Sequence, residues 1–256
     1  MAAAMLNATL AGRLDISEDL CILKIKPDTG VPAFEPGQFV RLGLYEGTGE
    51  AAKLIKRAYS IASSPDDHES LEFYVVKVRE GRLTPEVWEL PIGGRLWIDA
   101  KIQGEFTLHA APPTSDMLMV ATGTGIAPYV SMLRTYAGKQ HWRRVVLVHG
   151  VRRVVDLGYR EELEGFARRH PEIRYIPIVS RDPDALWSGR RGRVMPVFEP
   201  AAYEELSGAQ LEAGQTHVFL CGNPEMVQAA RAVLEPQGFV MSQRRHPGTI
   251  HSERYW

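Results

Sequence analysis

A chain of 256 residues, 45% hydrophobic and 24% charged, has the make-up of an ordinary globular protein with room for one large or two medium domains, two being preferred, and excludes a fibrous, low-complexity or disordered class. Its formal net charge of −1 gives no whole-chain reason to expect nucleic-acid binding, and no run of 18 apolar residues reads as a membrane span. Cys21 and Cys221 lack metal-ligand spacing, so no disulfide framework, zinc site or iron–sulfur cluster is expected and a reducing, cytoplasmic setting fits.

The opening stretch, MAAAMLNATLAGRLD, has no sustained apolar core behind a basic region and does not read as a secretory signal. From Leu20 to Ile102 the pattern is short strands with turn punctuation: CILKIKP, PGQFVRLGL, AYSIASS, LEFYVVKV and RLWIDAKI. Pro36-Gly37, Ser63-Ser64-Pro65-Asp66 and Gly93-Gly94 mark turns between runs rich in β-branched and aromatic residues, which predicts a small antiparallel barrel. One helical stretch, Pro85 to Leu90, interrupts it.

Two pieces of this half carry chemistry as well as fold. In Arg57-Ala58-Tyr59-Ser60 the period of two puts Arg57 and Tyr59 on one face and Ser60 on the other. Taken alone this is an edge strand; a cation beside a ring also suits a phosphate next to a flavin. Gly81-Arg82-Leu83-Thr84 precedes the helix, so Thr84 is the expected N-cap and the amides here are a second candidate anion site.

The stretch Met117–Arg134, MLMVATGTGIAPYVSMLR, reads as a buried strand, a glycine turn and a helix. Glycines at 123 and 125 let the backbone turn sharply and approach a ligand, and the helix N-terminus that follows suits an anion such as a pyrophosphate. Pro128 fits the first helical turn, although it stands where the third glycine of G-x-G-x-x-G belongs. Taken alone this is also an ordinary strand-to-helix connection. Beyond it, the strand VVLVHG, a helix from Tyr159 to Arg169, the strand RYIPIVS, a helical segment near Val194–Phe198 and the strand HVFLCG alternate as in a parallel α/β sheet. The charge is split along the chain. Residues 1–110 carry 12 basic and 16 acidic residues, residues 111–256 carry 18 and 15, and 17 of those 18 are Arg, so the second half is the better host for phosphates.

RAYS, GRLT, GTGIAP and CGNP occur in that order at domain-sized intervals, and together they resemble the ferredoxin–NADP(+) reductase superfamily, in particular its compact bacterial members that end in an aromatic pair. The resemblance runs from PGQFV to the C-terminus. It implies two domains: an antiparallel β-barrel binding FAD over residues 1–110, then an α/β, parallel-sheet, Rossmann-like domain binding NADP over 111–256. The active site would lie in the cleft between them, and the C-terminal aromatic tail would return to the flavin.

On that resemblance Arg57, Ala58, Tyr59 and Ser60 hold FAD: Arg57 faces the pyrophosphate, Tyr59 packs on the isoalloxazine and Ser60 bonds near N5. Tyr74, Val75 and Val76 line the flavin and ribityl chain, and Arg82, Leu83 and Thr84 present amides to the pyrophosphate. Thr124 lies at the boundary of the two ligands, and Gly123, Gly125 and Pro128 cradle the NADP pyrophosphate. Cys221, in Cys221-Gly222-Asn223-Pro224, sits by the reacting carbon of the nicotinamide; without the motif it is a small core residue. Tyr255 stacks on the isoalloxazine, Trp256 covers the adenine end, and Glu253 matches a carboxylate near the nicotinamide. Trp256 extends one residue past the aromatic that ends plant-type chains.

An NAD-preferring site usually places Asp or Glu at the end of the second strand, whereas here that strand ends in His149-Gly150-Val151-Arg152. Arg152, Ser180, Arg181 and Arg193 supply cations and a hydroxyl for a 2′-phosphate and favour NADP, while Arg153, Arg190 and Arg191 read as a solvated face. The expected protein is a monomeric, FAD-dependent oxidoreductase passing electrons between NADP(H) and an acidic ferredoxin or flavodoxin that meets Arg57, Arg152, Arg244 and Arg245. Ser60, Cys221 and Glu253 tune and orient the reactants, and neither nucleic acid nor membrane takes part. An NAD(P)H–flavin reductase and an electron-transfer subunit of a larger complex remain open alternatives. A reductase with its own iron–sulfur domain is disfavoured, since the chain stops at Trp256 without a cysteine cluster.

Overall fold

The computed structural model describes residues 5–47, 49–139, 141–182 and 187–254; Tyr255 and Trp256 lie outside the described residues. The chain divides into two compact units. The first runs to Thr107 and takes in Ala127–Thr135; the second comprises Leu108–Ile126 and the chain from Tyr136 onward.

Six strands build the first unit: β1 (Ala8–Ser17), β2 (Leu20–Pro27), β3 (Phe39–Glu46), β4 (Lys53–Ser60), β5 (Leu71–Val76) and β6 (Arg95–Ile98). They pair antiparallel in the order β4-β3-β6-β1-β2-β5. A bridge between Ile61, directly after β4, and Phe73 of β5 brings the two edges together and closes the expected barrel. Alternation places Leu10, Cys21, Leu23, Ile25, Val40, Leu42, Phe73, Val75, Leu96 and Ile98 in one core, where each large apolar side chain contributes roughly 1.5–3 kcal/mol. β1 carries no clear signal in the sequence, because small and polar residues dilute the alternation, yet Ala8 and Leu10 are fully buried.

Helix α1 (Thr84–Glu89) corrects one expectation. Thr84 lies within the helix, Leu83 occupies the cap position without a side-chain bond, and the Thr84 hydroxyl is taken by Val78. It accepts from the Val78 amide at 2.9 Å and donates to the Val78 carbonyl at 3.2 Å, so the loop of residues 78–84 is tied to itself. Helix α2 (Ala127–Tyr136) contributes Ala127–Thr135 to the first unit. Ser131 donates to the Ser63 carbonyl at 2.7 Å, and Arg134 donates to the Ala62 carbonyl at 3.0 Å and pairs with Glu72 at 2.7 Å, fastening the helix to the chain that leaves β4.

In the second unit β7 (Asp116–Thr122), β8 (Arg144–Val151), β9 (Ile173–Val179), β10 (Arg190–Arg191), β11 (Thr216–Gly222) and β12 (Ile250–Arg254) form one parallel sheet in the order β10-β9-β8-β7-β11-β12. Leu118, Val120, Val146, Val148, Val218 and Leu220 on one face pack with Phe198, Tyr203, Val227, Ala230 and Leu234. Three helices accompany these strands: α3 (Arg160–Arg169), α4 (Pro200–Ser207) and α5 (Pro224–Leu234). Asn223 caps α5, its side chain accepting from the Glu225 amide at 2.7 Å, and Pro224 takes the first helical position, where no donor is needed. Among the described residues no helix is long and apolar enough to cross a membrane.

Chain order runs outward from β7 through β8, β9 and β10, then returns to β11 on the other side of β7. The connections from β7 and β11 therefore leave in opposite directions, and the crevice beyond their carboxyl ends is where ligands bind in open α/β sheets.

Candidate functional site

Two of the sequence motifs meet at this switch point. β7 ends in Thr122 and passes into a 3-10 turn, Gly123–Ile126, which leads directly into α2. Gly123 is left-handed, with φ of +55°, and the space above it is open: a Cβ there would meet no atom within 4 Å. Gly125 has a different reason from the ligand approach expected of it. A Cβ at Gly125 would stand 2.4 Å from the Cys221 carbonyl oxygen, so glycine is required for the turn to rest on the end of β11. Gly222 (φ +126°) is equally close-set, its Cβ position lying 2.3 Å from the Thr122 hydroxyl, and that hydroxyl accepts the Asn223 amide at 2.8 Å. GTGIAP and CGNP are thus one assembly.

Strand register extends it. His149, Ala121, Cys221 and Glu253 are successive partners across β8, β7, β11 and β12, and register partners in a parallel sheet show their side chains to the same face. Cys221 is buried and outside any disulfide, and Glu253 is half-buried. His149 is fully buried; Nε2 lies 3.0 Å from the Gly123 carbonyl and Nδ1 3.3 Å from the Tyr175 hydroxyl. Burial pushes its pKa down to about 4, against a smaller upward pull from the Gly123 bond, so the ring is neutral near pH 7.

A second cluster forms where β8, β9 and β10 end. The Ser180 amide donates to the Val151 carbonyl at 3.0 Å, the Arg181 amide to Arg152 at 2.8 Å and the Gly192 amide to Val179 at 2.9 Å, which gathers Arg152, Ser180, Arg181 and the start of the Gly192-Arg193 pair. The neighbouring arginines are engaged: Arg153 with Asp156, Arg190 with Glu205, and Arg191 with the carbonyls of Asp182 and Trp187. Arg152, Arg181 and Arg193 are exposed and make no side-chain hydrogen bond or ion pair among the described residues. The Ser180 hydroxyl donates to the Val151 carbonyl at 3.0 Å.

In the barrel unit Arg57, Ala58, Tyr59 and Ser60 occupy β4, and Tyr74, Val75 and Val76 occupy β5, the two strands joined at Ile61 and Phe73. Tyr59 leans edge-on against Phe73, ring centroids 6.4 Å apart, and burial pushes its hydroxyl pKa up, so it stays neutral. Ser60, Tyr74 and Val75 are buried; Val75 faces the core, with Tyr74 on the opposite face. The exposed Arg57 guanidinium donates to the Lys56 carbonyl at 2.8 Å. Arg82 is paired with Glu46, which leaves its amide rather than its charge for a ligand. Pro128 lies in α2, next in the chain to the glycine turn.

Sequence reasoning passed over Thr122, His149 and Tyr175. The available signal was a lone histidine inside the apolar run VVLVHG, since a buried polar side chain needs a partner.

An antiparallel barrel joined to a parallel α/β sheet, with a glycine turn at the switch point, defines an oxidoreductase that pairs a flavin-binding with a nicotinamide-nucleotide-binding unit. Residues 7–107 match the family described as "Oxidoreductase FAD-binding domain", and residues 119–232 that described as "Oxidoreductase NAD-binding domain". The chain is 34% identical over 228 residues to the flavodoxin/ferredoxin–NADP reductase of Buchnera aphidicola subsp. Baizongia pistaciae, covering 88% of this chain and 89% of that one. To the Escherichia coli (strain K12) protein of the same name it is 35% identical over 225 residues, 87% and 88% of the two chains. A ferredoxin NADP+ reductase from Neisseria gonorrhoeae, solved with bound FAD and NADP, superimposes with a TM-score of 0.86 over 98% of both chains at 28% identity. The chain belongs to the flavodoxin/ferredoxin–NADP reductase family.

Proposed function

We propose that the protein is an FAD-dependent reductase that exchanges a hydride with NADP(H) and passes electrons singly to a ferredoxin or flavodoxin. The observation that carries the choice of nucleotide is the set Arg152, Arg181 and Arg193, three exposed cations without a partner among the described residues while their neighbours Arg153, Arg190 and Arg191 are engaged. A 2′-phosphate supplies the charge that this set lacks. The open space above Gly123 and the donor-rich turn suit a pyrophosphate.

FAD, when bound, supplies the conversion between two-electron and one-electron transfer. The chain's own residues hold and orient. Arg57 and the amides of Arg82, Leu83 and Thr84 would hold the phosphates of FAD, and Ala58, Tyr59, Ser60, Tyr74 and Val76, with the backbone of Val75, would hold its ring system and ribityl chain. Thr124 stands between the two ligands, and Gly123, Gly125 and Pro128 with Gly222, Asn223 and Pro224 seat the nicotinamide nucleotide. Cys221 and Glu253 orient the nicotinamide. No strong acid or base is required of any of them. Arg57, Arg152 and the exposed Arg244-Arg245 pair, at the tip of a turn closed by mutual backbone bonds of Gln243 and His246, receive an acidic partner protein. The chain works as a monomer in a reducing cytoplasm, which suits two buried cysteines that form no disulfide.

The test is anaerobic stopped-flow reduction of the purified yellow protein by NADPH and by NADH. Fast bleaching of the flavin by NADPH and slow bleaching by NADH is expected. A colourless protein, or equal rates with both nucleotides, would overturn this assignment.

A further inference from the structure

His149 is the polar member of an apolar central strand, with no exposed surface and two hydrogen bonds. One partner fixes the other. The Gly123 carbonyl, 3.0 Å from Nε2, accepts only, so Nε2 carries the proton; Nδ1 is then the acceptor for the Tyr175 hydroxyl at 3.3 Å. The Gly123 carbonyl thus holds the ring in one tautomer, Tyr175 donates to its other nitrogen, and the single N–H is spent on the first residue of the glycine turn.

That residue has room around its Cα that Gly125 lacks. Gly123 is left-handed and has open space on its Cα, whereas Gly125 rests on the Cys221 carbonyl so tightly that no side chain fits. A shift of the Gly123 carbonyl is therefore passed through two residues to the end of β11. His149 and Cys221 also lie in one register row, with Ala121 between them.

We propose that His149 is a positioning residue: its Nε2–H anchors the Gly123 carbonyl, and through the turn it sets both the seat of the nucleotide and the place of Cys221. The inference rests on the reading that this turn takes the NADP pyrophosphate. It assigns to the second strand of the sheet a part in nucleotide binding that needs no contact with the nucleotide.

Three variants of the FAD-loaded protein test it: His149→Leu removes the donor, His149→Gln returns an N–H at the place of Nε2, and Tyr175→Phe removes the hydroxyl that steadies the ring at Nδ1. NADP+ affinity is read by titration calorimetry, FAD content by absorbance, and the tautomer of His149 by 15N-correlated NMR. In His149→Leu the Kd for NADP+ is expected to rise about tenfold, the scale of one buried carbonyl losing its donor, with FAD content unchanged. His149→Gln should recover most of that loss, KM for NADPH should rise more than kcat falls, and the wild-type spectrum should show an Nε2-protonated ring. Unchanged NADP+ affinity in His149→Leu, no rescue by His149→Gln, or an Nδ1-protonated ring overturns the inference. If His149→Leu does not fold, the wild-type tautomer and a two- to threefold weakening in Tyr175→Phe, roughly half the value of a hydrogen bond, decide it, and unchanged affinity overturns it. A wild-type protein without affinity for NADP+ overturns the functional reading and this inference with it; wild-type affinity undiminished in the variants overturns the inference alone.

Discussion

Cys221 and Glu253 are register partners across the parallel pair β11–β12, one fully buried and one half-buried, on the same face at the carboxyl end of the sheet. A thiol and a carboxylate 32 positions apart are thus fixed on adjacent rigid strands, which is how orientation is built into a site without loop motion. Cys221→Ser and Glu253→Gln should each lower the rate of flavin reduction by NADPH about ten- to a hundredfold, the scale of a reactant misplaced by an ångström, with FAD content unchanged. Single-turnover stopped-flow measures it; wild-type rates in both variants would remove these residues from the site.

The partnership was only half visible in the sequence. CGNP announces a strand end because its apolar run is buried on both faces, as parallel strands are. IHSER does not. It is a short edge strand in which, among the described side chains, only Ile250 and His251 are buried, and its pairing with β11 is a long-range event that leaves no local period. The same holds for β10, two exposed arginines whose strand character comes entirely from β9. The barrel strands, by contrast, were legible wherever alternation was strong, and the blocks GTGIAP and CGNP marked a place where backbone approaches backbone. What no local pattern carries is which neighbour a residue serves: Gly125 is needed for Cys221, and Thr84 for Val78.

Gly125 and Gly123 should answer differently to the same change. In Gly125→Ala the new methyl meets the Cys221 carbonyl at 2.4 Å, so backbone must move; about 1–3 kcal/mol of stability and most NADP+ binding should be lost. Gly123→Ala meets nothing within 4 Å and bears only the left-handed strain of about 1–2 kcal/mol. Thermal melts and NADP+ titrations of the two variants compare them, and equal loss of binding would refute the role given to the Gly125–Cys221 contact.

The arginines divide by partner. Arg181→Ala and Arg193→Ala should each raise KM for NADPH about ten- to a hundredfold, one charged hydrogen bond to the 2′-phosphate being lost, and leave KM for NADH within about threefold. Arg190→Ala, whose guanidinium is bound to Glu205 at 3.0 Å, serves as the control and should change neither. Steady-state kinetics with both nucleotides settles the matter: parallel loss with NADPH and NADH would mean that these cations act on something other than the extra phosphate.

Stability should fall on mild acidification. Burial holds both His149 and His251 down at about 4 from an ordinary 6.5, and His251 is held further by His217, its hydrogen-bond partner at 2.9 Å. Above pH 6.5 both rings are neutral in the folded and unfolded chain, and their contribution is fully present. Below it the unfolded chain takes up protons that the folded chain refuses, so stability is lost progressively until the folded rings titrate near pH 4. Between pH 6.5 and 5 each ring should cost about 2 kcal/mol. Urea denaturation at pH 7.5 and pH 5 measures the sum, and His149→Gln or His251→Gln should flatten the slope even where it lowers the plateau. A wild-type protein as stable at pH 5 as at 7.5 would show that these histidines are reached by water or protonated in the folded state.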